Sequence, residues 1–229
     1  MFYDEWQKIR SANLSDEIYI RKFLDFASDS ISILNVGNKS EVLIAIKLLL
    51  SIPVTDFINA IDHPYDYMTK DIFQYSKLED AIEVLCNTLE YEETALSYEE
   101  IGKRLVCAPK QYANIKYGEN HAKTAAMLSL VVIRHIEGRD CSMVSISSLG
   151  SVMTSLSKDE RTEVVRRLAI RNPFLKTLLY YAKIGEASYV ECVSKVLSGQ
   201  TIIRRKHNNE ILMNIVLGDE PIKNKIRWK

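Results

Sequence analysis

The 229 residues predict a mainly α protein with small β-hairpins. Three observations point there. Gly (8) and Pro (5) are too scarce for the many tight turns of a sandwich or barrel. Apolar residues recur three and four apart through most of the chain, the stripe of helices that bury one face. Two S-x-x-E boxes, Ser97–Glu100 and Ser157–Glu160, mark helix starts, because the Ser hydroxyl and the Glu carboxylate each satisfy a backbone N–H of the first turn.

The elements follow in order. "DEIYIRKFLDFAS" (16–28) puts Ile20, Phe23, Leu24 and Ala27 on one helical face, with Ser15 as cap. Ser40 or Asn38 can cap a helix over about 41–51 that is apolar on most sides and expected to be buried. Pro53 opens a short helix in "VTDFINAID", with Thr55 as a candidate cap, and His63-Pro64 breaks it. "YDYMTKDIFQY" is a polar, tyrosine-rich connection. Leu78, Ala81, Ile82, Leu85 and Leu89 predict a helix over 77–91. The Ser97 box opens a helix over 98–105, and "VCAP" stops it. The next helix is expected from Gly118–Glu119 to about Leu128, burying Ala122, Ala125 and Ala126. "LVVIRH" (130–135) and "CSMVSIS" (141–147) read as strands around the turn "IEGRD". Helices follow over 157–171, 172–185 and 187–200, the second with Asn172 as cap, Pro173 at its first position and Gly185 at its stop. "TIIRRKHNNEILMNIVLG" reads as strand, polar turn and strand. The tail "IKNKIRWK" is basic and expected to be mobile.

Helix, short helix, turn, helix and two-stranded ribbon is the order of a winged helix-turn-helix. The expected organisation is an acidic helical N-terminal region (1–75), a winged-helix domain (76–156) and a helical C-terminal region (157–229). Element order alone predicts a second, tandem winged-helix unit at about 158–218.

Charge is neutral only in sum. Residues 1–99 hold 18 acidic and 8 basic side chains, net −10, and residues 100–229 hold 12 and 22, net +10. A basic half suits a polyanion, because each Lys or Arg placed on a phosphate releases condensed counterions. The expected partner is double-stranded DNA. The acidic half is left for a protein partner, for the basic half, or for solvent. A homodimer is expected as well, since one recognition helix reads only a few base pairs.

The DNA-binding candidates follow from the predicted elements. Asn120, Lys123 and Thr124 are taken as outward on the recognition helix, with Lys116 and Tyr117 just before it. Asn can pair with adenine in two hydrogen bonds, Lys reaches guanine or phosphate, and Thr offers a methyl and a hydroxyl. Lys110 and Gln111 in the turn suit phosphates, and Arg134 and Arg139 suit a wing that touches backbone or minor groove. Glu119, read as the helix start, would repel phosphate.

"KQYANIKYGENHAKTAAMLSLV", followed by "VSISSLGSVMTSLSKDERTEVVRRLAIRNPFLKTLL", resembles the winged-helix domain of prokaryotic restriction-modification and related defence proteins over about 95–180. That pattern carries a Gly where this chain has Ser129 and a Thr where it has Ser147. The resemblance implies DNA recognition in a restriction or defence setting and carries over no catalytic residue.

Enzymatic motifs are missing. A Mg²⁺-dependent restriction endonuclease, the enzyme alternative, needs an Asp and a Glu/Asp-x-Lys on adjacent strands. Asp16, Glu17 and Lys22, like Glu41 and Lys47, fall on predicted helices instead. A tyrosine recombinase set of Arg166, Arg167, Arg171 and Tyr180 has no H-x-x-R beside it. Cys86, Cys107, Cys141 and Cys192 form no C-x-x-C and are expected to be partly buried free thiols, and the four His show no metal spacing. No cofactor is expected. The longest apolar run, 42–54, contains Lys47 and is too short to span a bilayer, and the N-terminus lacks a signal-peptide pattern, so a cytoplasmic protein is expected. A winged-helix protein-interaction subunit is the third alternative.

Overall fold

The computed structural model describes Ile20, Arg21, Leu24 and residues 38–74, 78–136 and 141–229. The fold is mainly helical with a few short strands. The chain divides into two compact units that interleave in sequence. A mid-chain unit takes the described residues of 32–45 and 74–161, and a terminal unit takes 46–73, 162–229 and the described part of 1–31. Segments from early and late in the sequence build the terminal unit.

The mid-chain unit starts with the first turns of α1 (Lys39–Ser51). Asn38 caps it reciprocally: Oδ1 accepts from the Glu41 N–H at 3.0 Å, and Glu41 accepts from the Asn38 N–H at 2.8 Å. The helix expected over 77–91 forms, but Asp80–Val84 winds as a wider π-turn before α3 (Leu85–Glu90); α2 (Val54–Asn59) belongs to the terminal unit. A two-residue strand, β1 (Leu96–Ser97), leads into α4 (Tyr98–Leu105), where the Ser97–Glu100 box forms in both directions. Then come α5 (Gln111–Met127), the hairpin β2 (Val131–His135) and β3 (Ser142–Ile146), and α6 (Ser148–Met153). The sheet order is β1-β3-β2, all antiparallel, with Leu96 opposite Val144 and Val131 opposite Ile146. Leu85, Leu89, Ile101, Ala122, Ala125 and Val144 are buried in its core.

The predicted start of α5 at Gly118 is corrected. The helix begins seven residues earlier, and Gly118 lies in its interior. A mid-helix Gly costs about 0.5–1 kcal/mol against Ala, and the neighbouring helix explains it. A methyl group at Gly118 would collide with the backbone carbonyl of Tyr98, and one at Gly102 with that of Asn114. The two glycines let α4 and α5 cross backbone to backbone.

The terminal unit holds the rest of α1, α2, and a 3₁₀ turn at Thr69–Asp71. It continues with α7 (Lys158–Ile170, from Thr162 on) and α8 (Pro173–Ile184), where Asn172 accepts from the Leu175 N–H at 3.0 Å as predicted. β4 (Ala187–Ser188), α9 (Tyr189–Val193) and α10 (Gln200–Leu217) follow. A 3₁₀ turn at Pro221–Lys225 then leads to β5 (Ile226–Arg227), which pairs with β4 in parallel.

Two expectations fail in this unit. The ribbon predicted within 201–218 is the single helix α10. Its β-branched residues suggested strands, but Asn209, Leu212, Met213, Val216 and Leu217 are buried at three- and four-residue spacing, and that burial overrides local propensity. The tail expected to be mobile is instead folded: Ile226 is buried, and the Trp228 ring lies 5.2 Å from that of Tyr189. Among the described residues no helix is long and apolar enough to cross a membrane.

Candidate nucleic-acid interface

The site is built on α4, the turn after it, and α5. Asn114, which the sequence reading passed over, holds the turn. Its side chain is buried, its Oδ1 accepts from the Ala108 N–H at 2.7 Å, and its Nδ2 donates to the Ala108 carbonyl at 2.9 Å. Both polar groups of a turn residue are thereby satisfied from one side chain, which fixes where α5 begins. Cys107 in this turn has a positive φ of 51°.

The outer stripe of α5 follows from its true start. Tyr112, Ile115, Lys116 and Lys123 are exposed, with Glu119 between them, and Gln111 opens the helix. Tyr112 is 75% exposed and was missed because 111–117 was read as a turn. Lys110 is exposed at the N-cap position. Lys116 donates to Glu119 at 2.7 Å and Lys123 to the other oxygen of the same carboxylate at 2.5 Å. Burial tends to raise the Glu119 carboxyl, but the hydrogen bonds from the two lysines outweigh it and hold the group below its ordinary value. The Gln111 amide donates to Glu99 at 2.7 Å, and Glu99 also pairs with Lys103 at 2.6 Å. Arg104 pairs with Glu92.

Three candidates turn away from this stripe. Thr124, predicted outward, is only 3% exposed. Asn120 is half-buried, with its Oδ1 shut inside and no hydrogen-bond partner in the structure. The Tyr117 hydroxyl donates to Asp80 at 3.4 Å, and its ring stacks on the buried His121 at 4.1 Å. Packing sets the inward face of α5: Thr124 is buried with Gly118, His121 and Ala125 rather than facing solvent. On the hairpin, Arg134 is exposed opposite Met143, and Arg139 lies outside the described residues.

Ser129 and Ser147, the two departures from the restriction-type pattern, meet each other. Ser129 has a φ of 60°, the left-handed region where Gly costs nothing, and its carbonyl accepts from the Ser147 hydroxyl at 2.8 Å. The same hydroxyl accepts from the Gly150 N–H at 2.9 Å and caps α6. A Thr at 147 carries the same hydroxyl.

Several of the residues weighed for catalysis make contacts within the fold. The buried Arg167 donates to the Ile52 carbonyl at 2.9 Å and to Glu163 at 2.8 Å. Arg166 also holds Glu163, at 2.7 Å. Tyr180 packs edge-on against Tyr181. Glu41 is spent on the Asn38 cap, and Asp16, Glu17 and Lys22 lie outside the described residues. Among the described residues no group of three or more His, Cys, Asp or Glu could hold a metal ion. The cysteines split two ways: Cys107 and Cys141 are exposed, while Cys86 and Cys192 are buried, and burial pushes the Cys86 thiol up to about 12.

Compared with family models, curated proteins and solved structures, the chain matches none of them.

Proposed function

We propose that the protein binds double-stranded DNA through a winged helix-turn-helix in its mid-chain unit, as a sequence reader or regulator. The observation that carries this reading is the order α3-β1-α4-α5-β2-β3 with a β1-β3-β2 sheet. That arrangement packs α5 by its inner face and leaves Gln111, Tyr112, Ile115, Lys116 and Lys123 to solvent on the helix that would enter a major groove. Lys110 before the helix and Arg134 on the hairpin supply backbone contacts. A restriction or defence role rests on the sequence resemblance alone. A duplex must compete with Glu119 for Lys116 and Lys123, so binding through α5 is expected to be modest and selective.

A second reading, a protein-docking surface, is favoured by the same pairing and by the exposed Tyr112 and Ile115. One selection separates the readings. A random-sequence duplex pool is incubated with the protein at low and moderate salt, with and without Mg²⁺, and the retained fraction is sequenced. An enriched, intact site weakened by salt supports the reader. Cleavage only with Mg²⁺ makes the protein a nuclease, and no retention at any salt leaves α5 as a protein-docking face.

A further inference from the structure

We propose that the terminal unit carries a second duplex-contacting surface, formed by the outer face of α10, the turn before it and the Thr69–Asp71 turn, with the exposed Lys70, Lys195 and Arg204 as its phosphate contacts and the half-buried Lys206 reaching it from the other flank of α10. The inference shares the duplex partner of the reading above and uses none of its residues.

Element order suggests it first. The run α8-β4-α9-α10-β5 follows the order helix, two-residue strand, short helix, long helix and strand, with β5 paired in parallel to β4 in place of the antiparallel hairpin of the mid-chain unit. Ser188-Tyr189 opens α9 as Ser97-Tyr98 opens α4, and the Ser188 hydroxyl accepts from the Glu191 N–H as Ser97 does from that of Glu100. α10 has its own buried latch. Asn209 accepts from the Phe73 N–H at 3.2 Å and donates to the Phe73 carbonyl at 3.1 Å.

Three segments then meet at one corner. The Thr69 hydroxyl donates to the Val196 carbonyl at 3.0 Å, and the Thr69 carbonyl accepts from Arg205 at 2.7 Å. Lys70 is therefore tied beside the turn that carries Lys195 and beside the first turns of α10. Arg205 is committed to backbone carbonyls. Lys70, Lys195, Arg204 and Lys206 make no ion pair with any described carboxylate, and Arg204 donates to the Thr201 hydroxyl at 3.1 Å. The carboxylates of this region are few. Asp71 closes its own turn on the Met68 N–H, while Glu191 on α9 and Glu210 on α10 subtract from the positive field without pairing.

The exposed stripe of α10 supplies groups suited to base edges. Gln200, Arg204, His207 and Asn214 offer hydrogen bonds, and Ile203 and Ile211 offer methyls. Cations without a carboxylate partner around a helix-turn-helix corner, Lys195 also lying 5.7 Å over the Tyr181 ring, with an amide- and Arg-bearing stripe beyond, fit a duplex better than an acidic peptide, which offers no regular array of charge.

The test uses the full chain and a labelled mixed-sequence 30-base-pair duplex, with anisotropy read across a potassium chloride series. R204A/K206A is compared with wild type, with the charge-keeping R204K/K206R, and with K110A/K116A on the mid-chain unit; a circular dichroism melt checks folding of each. The expected result is a tenfold or greater loss for R204A/K206A. Its log–log salt slope falls by about 2, since each phosphate contact contributes about 0.9, and R204K/K206R restores both. If R204A/K206A binds as wild type does while K110A/K116A binds poorly, the inference fails and the reading of α5 stands. The reverse pattern keeps the inference and removes the reading of α5. A wild-type protein that binds no duplex, or that binds polyglutamate or phosphatidylserine vesicles as tightly, overturns the inference.

Discussion

α5 in the mid-chain unit and α10 in the terminal unit are built alike and charged differently. Each is the longer helix after a short one, each opens on a Gln, and each is latched by a buried Asn that bonds both backbone polar groups of one residue, Ala108 for Asn114 and Phe73 for Asn209. On α5, one carboxylate holds both outward lysines. On α10, no described carboxylate pairs with Arg204 or Lys206. A count of basic residues therefore says little about which charge a partner meets. What decides is whether a nearby carboxylate is engaged: Glu119 holds both lysines of α5, whereas Glu210, four residues after Lys206 on α10, makes no pair with it.

The largest effect that separates the two regions is steric. Gly118→Ala drives a methyl into the Tyr98 carbonyl, and relief requires α4 and α5 to move apart. Overpacking of this kind costs about 3 kcal/mol. Hydrogen exchange is expected to show lost protection over 96–146 with protection kept over 200–217. Uniform loss over both would remove the independence of the two units.

The paired latches test the likeness itself. Asn114→Leu strips two part-buried backbone groups of Ala108 and Asn209→Leu two buried ones of Phe73, at about 2 kcal/mol per variant. Urea melts should show similar losses for the two variants. A large loss for one and none for the other would end the comparison.

The charge difference is sharpened by Glu119→Gln. Freeing Lys116 and Lys123 is expected to tighten duplex binding about fivefold, roughly 1 kcal/mol, and to steepen its salt dependence. Acid acts in the same direction. The Glu119 carboxyl sits below its ordinary value in the folded protein, so its stabilising pairs are intact above the usual carboxylate range and are lost as pH falls through that lowered value. Duplex binding by wild type should therefore rise towards Glu119→Gln at the acid end, and a pH titration of both proteins reads this.

The smallest expected effect is Ser129→Gly. It relieves a left-handed φ and should raise the melting free energy by about 0.5–1 kcal/mol. A loss would mean that the Ser129 side chain makes a contact worth more than the strain.

Local signals were the legible part of the sequence. The boxes at Ser97 and Ser157 and the cap at Asn172 form as read, because each needs only its own first turn. The helix over 98–105 and both hairpin strands follow, within a residue at each end. What failed depended on neighbours far along the chain. Gly118 reads as a breaker unless the Tyr98 carbonyl is known to sit against it, and that error hid Tyr112. β1 and β5 are two residues long and exist only through their partners. α10 looked like a ribbon because its β-branched residues were weighed without the buried Asn209, Leu212 and Val216. Of the candidate site, Lys110, Gln111, Lys116, Lys123 and Arg134 are exposed, but the pairing of both helix lysines with Glu119 needed coordinates.

The central claim is that the mid-chain unit grips a duplex through the start and outer stripe of α5. The most direct test is the log–log salt slope of duplex binding for wild type against K110Q/K116Q/K123Q, with folding of both checked by their melts. The account predicts that the variant binds at least tenfold more weakly and that its slope is shallower by about 3. An unchanged slope and affinity in a folded variant would contradict it.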